Sequence, residues 1–105
     1  MNIYARQTIP TKVKCCGLTY AVRLVPPKFL TDLMGDSPLG AVDWDGLTIY
    51  IRDDLSPSRQ FIVFCHELGH VLADTGGYGD DEGEVLAQRL ERPLSSLLAE
   101  NDWLP

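Results

Sequence analysis

"SPSRQFIVFCHELGHVLADTGG", Ser56 to Gly77, decides how this chain is read. Ser56 is a good helix N-cap, and Pro57 suits the first helical position, where its missing N–H costs nothing. Gly76 and Gly77 supply a stop at the other end. Between them Phe61, Phe64, Cys65, Leu68, Val71 and Leu72 recur at three- and four-residue spacing. That is the stripe of a helix laid against a core.

His66 and His70 lie four apart on the same helix, about 40° apart around its axis and roughly 6 Å along it. They can therefore turn both imidazoles toward one tetrahedral metal ion. Zinc suits imidazole, and catalytic sites give it three protein ligands plus a water. Glu67 sits on the flank of that face, within reach of the water as its general base. A lone histidine on a helix is ordinarily structural. The full His-Glu-x-x-His set has a separate geometric task for each residue and points to a metal site. Gly69 inside the helix costs about 1 kcal/mol against alanine, which close backbone approach at the ligand face or tight helix–sheet packing would offset.

A third ligand must come from downstream, where Asp74, Asp80, Asp81, Glu82 and Glu84 are available. Asp74 lies in the last turn, where the helix face has drifted round. A second helix opens in "GDDEGEVLAQRL", with acids where its dipole favours them. Asp80 and Asp81 read as cap residues. Glu84 precedes the apolar stripe Val85, Leu86, Leu90, Leu94, Leu97 and Leu98 and is the preferred ligand, with Glu82 in reserve. Pro93 is expected to break or kink this helix after Arg92.

Upstream, "KVKCCGLTYAVRLV" (Lys12 to Val25) reads as two short strands with a turn or bulge at Gly17. "PPKFLTDLMGDSP" (Pro26 to Pro38) reads as a loop holding one short helical turn, closed by Gly35. In "LGAVDWDGLTIYIRD" (Leu39 to Asp53) Asp45-Gly46 suggests a type I′ hairpin turn between two strands. Leu47, Ile49 and Ile51 alternate with Thr48, Tyr50 and Arg52, the pattern of a sheet covered on one side only. The expected fold class is α+β: a small, mainly antiparallel sheet packed on the HExxH helix, followed by a second helix carrying the third ligand. At 105 residues, the chain has room for one core, so residues 1–105 are taken as a single domain.

Hydrophobic residues make up 45% and charged residues 23%, an ordinary globular balance, and the formal net charge is −6. Nucleic-acid binding normally needs a basic face, so no nucleic-acid partner is expected. No stretch has the apolar core of a signal peptide or the roughly 20 apolar residues of a membrane span. Three cysteines, two of them adjacent, fit a reducing compartment, and a cytoplasmic location is expected. Cys65 falls on the core stripe. Cys15 and Cys16 read as one buried and one partly exposed side chain on a strand. Tyr50 and Tyr78 are candidates for stabilising an oxyanion, the latter in a glycine-rich loop, although a plain structural or surface role is the commoner one.

From "LGAVDWDGLTIYIRDDLSPSRQFIVFCHELGHVLADTGG" through "EGEVLAQRLERPLSSLLAENDWL" the chain resembles the small HExxH proteins of phages and prophages, minimal relatives of the ImmA/IrrE metallopeptidases. The likeness implies a zincin-like, gluzincin-like fold with His66, His70 and Glu84 as zinc ligands and Glu67 as base. It places a phage-encoded protein in the host cytoplasm. Larger members cleave a repressor-type regulator, which makes such a protein a conjectural substrate. The family's usual phenylalanine-alanine pair is replaced here around Leu90-Glu91.

The leading expectation is a zinc endopeptidase that hydrolyses peptide bonds through a zinc-bound water activated by Glu67. Its substrate strand would add to an exposed edge near Thr48 to Arg52. The alternative is an acidic binding protein, with zinc or without it, that docks on a host or phage protein and does no chemistry. A zinc hydrolase acting on a non-peptide amide would share every ligand.

Overall fold

The computed structural model describes residues 8–101. Along them run β1 (Lys12–Cys15), β2 (Leu18–Val25), α1 (Pro27–Met34), β3 (Gly40–Asp43), β4 (Thr48–Arg52), α2 (Pro57–Thr75) and α3 (Asp80–Asn101). The fold is α+β. One four-stranded sheet has the order β1-β2-β4-β3. β1 pairs with β2 and β3 with β4 antiparallel, whereas β2 and β4 run parallel.

The tight hairpin turn falls at Cys16-Gly17, both with positive φ, between paired Cys15 and Leu18. Two successive left-handed residues match the twist of the flanking strands. Cys16 thus sits exposed in the turn rather than on a strand, and Cys15 is partly buried. The Asp45-Gly46 expectation is corrected. The β3–β4 loop holds four residues, and its left-handed position is Leu47 (φ 46°). Gly46 donates its N–H to the Asp43 carboxylate at 3.1 Å, so that side chain, rather than a two-residue turn, organises the loop.

β4 lies inside the sheet, and it is buried from Thr48 through Ile51. Ile49 and Ile51 pack with Tyr20, Val22, Phe61, Phe64, Cys65 and Val71 on the α2 side. Tyr50 turns the other way, into a second cluster with Val25, Leu30 and Ala41. The sheet is therefore covered on both sides at its centre, against the one-sided reading. The reason is α1, a full helix of eight residues ended by Gly35 at φ 81°. Its Leu30 is wholly buried beneath the sheet, and Phe29 packs at a tilt of 49° against Tyr50 with ring centroids 4.9 Å apart.

Helix α2 begins as its caps require: the Ser56 side chain accepts the Arg59 N–H, and Pro57 occupies the first turn. It buries the sheet on one side and α3 on another. The buried face of α3 consists of small residues, Gly83, Ala87, Ser95 and Ala99, with Leu86, Leu94 and Leu98 at its margins. Val85, Leu90 and Leu97 are largely exposed, so the leucine-rich stripe is only partly the packing face. α3 also runs through Pro93 without a break. Pro93 is exposed, so the lost backbone hydrogen bond falls on the side facing water, where it is least costly. No described helix is long and apolar enough to cross a membrane.

Candidate metal centre

α2 carries His66 and His70 on the side that meets α3. Their rings are 5.1 Å apart between centroids and inclined at 68°, the arrangement one helical turn gives. From α3, the carboxylate of Glu84 spans both. Its Oε1 lies 3.2 Å from His66 Nε2, and its Oε2 lies 2.7 Å from His70 Nε2. Gln88, one turn further along α3, donates from Nε2 to Glu84 Oε1 at 3.3 Å and steadies that carboxylate.

Among the described residues, His66, His70 and Glu84 are the one group of three His, Cys, Asp or Glu side chains whose ligand atoms all lie within 4.8 Å of one another. Two imidazole nitrogens and a carboxylate oxygen at such separations fit a small divalent cation. Ligands about 2 Å from a tetrahedral ion stand roughly 3.3 Å apart. The donor set therefore suits a metal. Glu84 is about half exposed, which leaves the centre open to the groove outside.

Glu67 is different in kind. It is only 6% exposed, on the side of α2 facing β3. Burial, with the nearby Glu84 charge as a smaller cause, pushes its carboxyl from the ordinary 4.5 up to about 8. A buried carboxyl without a cationic partner favours its neutral form. Gly40 of β3 is what lets Glu67 fit, since a Cβ at position 40 would lie 3.1 Å from Glu67 Cγ and 2.9 Å from Val63 Cγ1.

The histidines, Glu67 and Glu84 open onto a groove of about 660 Å³. Its lining also includes the apolar Met34, Leu39, Val42 and Trp44, and Asp36, Asp80 and Glu91 add charge to it. β3 borders the groove, and it is an edge strand. The expected free edge at Thr48 to Arg52 is thus corrected: β4 is paired on both sides, and the strand edge beside the site belongs to Gly40–Asp43.

The remaining candidates divide. Asp80 reaches the groove but stands outside the convergent group. Asp74, Asp81 and Glu82 are exposed and also stand outside it. Tyr50 is buried against Phe29, Tyr78 is half exposed beyond the end of α2, and neither lines the groove. Cys65 is fully buried, which pushes its thiol up to about 12, so it belongs to the core. Gln88 and Glu91 carry no role at the site in the sequence alone. Their spacings of four and seven from Glu84 put all three on one helix face, a signal visible once Glu84 is chosen.

The Peptidase_M78 family model, described as the IrrE N-terminal-like domain, matches residues 27–93. That span runs from the first residue of α1 into α3 and includes the two histidines, Glu67 and Glu84. No curated protein and no solved structure matches the chain.

Proposed function

The chain belongs to the Peptidase_M78 family of IrrE N-terminal-like domains, and from that premise we propose that it is a zinc-dependent metallopeptidase. His66, His70 and Glu84 would hold the ion, and Glu67 would be the general base. The observation that carries the proposal is the convergence of three ligand atoms beside a buried carboxyl at the floor of an open groove. Zinc matches the donor set and, when bound, polarises the scissile carbonyl and acidifies water.

The protein side follows from the geometry. Glu67 takes the proton from the attacking water and returns it to the leaving amine. Its place beside His66, at the metal-facing groove, suits a group that must both accept and release that proton. An extended substrate would pair with the outer edge of β3, its main chain held by strand hydrogen bonds. The apolar wall of Met34, Leu39 and Trp44 would receive a side chain next to the scissile bond.

Replacing Glu67 by Gln tests the assignment. The variant should bind zinc as the wild type does and produce none of the new protein N-termini that the wild type generates in a cell extract. Equal cleavage by both proteins would remove Glu67 from the base role. A zinc-loaded wild type that cleaves nothing would favour a docking protein instead.

A further inference from the structure

We propose that Glu91 is a positioning residue of the metal centre: its carboxylate takes the Nδ1–H of His66 and thereby leaves Nε2 free for the ion. The proposal rests on the metal-centre reading above. Three observations support it. Glu91 Oε2 lies 3.7 Å from His66 Nδ1, while His66 Nε2, across the ring, faces Glu84. Glu91 and Glu84 are seven residues apart on α3, so about two turns return them to one face. Glu91 is also half-buried in the lining of the groove rather than fully solvated.

Imidazole offers two nitrogens, and the hydrogen bond made by one fixes which of them binds a metal. A carboxylate at Nδ1 holds the proton there, orients the ring and makes Nε2 the more basic donor. The 3.7 Å separation is an ion-pair distance, longer than a hydrogen bond, so the proposal requires the half-buried Glu91 side chain to move closer to His66 when the ion is held. Gln88 does not compete, because it donates to Glu84. Glu91 is not a fourth ligand, since it addresses the far side of the ring and lies outside the convergent group. Among the described residues no carboxylate pairs with Nδ1 of His70, where the neighbouring position on α3 is Gly83. The two histidines are therefore supported unequally.

Zinc affinity of the full chain, measured by competition with a chromophoric chelator, tests this without reference to activity. Glu91→Ala should weaken binding about 10- to 100-fold. Glu91→Gln, whose amide oxygen still accepts from Nδ1–H, should lose less. Glu100→Ala, which removes the same charge from an exposed site on α3, should bind like the wild type. Thermal unfolding of the metal-free variants should match the wild type, which separates positioning from folding. The inference is overturned if Glu91→Ala binds zinc within about twofold of wild type, or if Glu100→Ala loses as much. If the wild type binds no more tightly than His66→Ala, the metal centre itself falls and the inference falls with it.

Discussion

Gly69 of α2 faces Ala87 of α3 so closely that a Cβ at position 69 would lie 2.9 Å from the Ala87 Cα. A contact of that length with backbone cannot stand, so one helix would have to move. Gly69 adjoins His70, and Ala87 is one turn from Glu84. The bare glycine therefore sets the distance at which the third carboxylate meets the imidazoles. This explains a glycine in mid-helix better than helix–sheet packing does, because its neighbour is the second helix.

Gly69→Ala pits two effects against each other. Alanine improves helix propensity by about 1 kcal/mol, and overpacking costs about 1–3 kcal/mol. The net change in stability should be a loss of at most about 2 kcal/mol. Zinc affinity should fall on the order of tenfold, since a metal site tolerates displacements of only about 0.5 Å. Chemical denaturation and metal competition on the same preparation check both.

Gly40→Ala probes the other side of the site. The added methyl would lie 2.9 Å from the Tyr50 carbonyl oxygen and 3.1 Å from Glu67 Cγ. It should shift Glu67 and β3 while leaving the three ligands in place. Peptidase activity is expected to drop by about 100-fold, as displacement of a reacting group by an ångström can cost that much, with zinc content unchanged. Parallel loss of zinc would show that β3 supports the ligands too.

The raised pKa of Glu67 makes metal-free stability depend on pH. Its folded value of about 8 lies above the ordinary 4.5, so the folded state holds this proton more tightly than the unfolded chain does. Stability from this group is complete below about 4.5 and is lost as pH rises through about 8. Chelator-treated wild type should lose stability across that window, on the order of a few kcal/mol. Glu67→Gln should flatten the loss. An identical pH profile for the two proteins would show that Glu67 is not the group responsible.

Much of this architecture is legible from local chemistry. The Ser56-Pro57 start, the glycine stop and the stripe through Phe61 and Phe64 define α2 without tertiary information. The choice of Glu84 from five acids rests on its place ahead of an apolar run, and folding brings that residue to both histidines. What escapes the sequence depends on partners distant along the chain. Tyr50 reads as solvent-facing because nothing local announces that Leu30 of α1 will cover it. The α3 stripe misleads because close approach to Gly69 selects the small Ala87 over the bulkier leucines as the packing residue. The free strand edge is placed on the wrong strand because the parallel pairing of β2 with β4 buries the "IYI" segment in mid-sheet.

Zinc titration of chelator-stripped protein, with His66→Ala, His70→Ala and Glu84→Ala alongside, tests the metal centre most directly. One equivalent should bind to the wild type, and each substitution should abolish tight binding without unfolding the metal-free chain. A wild type that takes up no zinc, or three variants that bind it as the wild type does, would contradict the assignment.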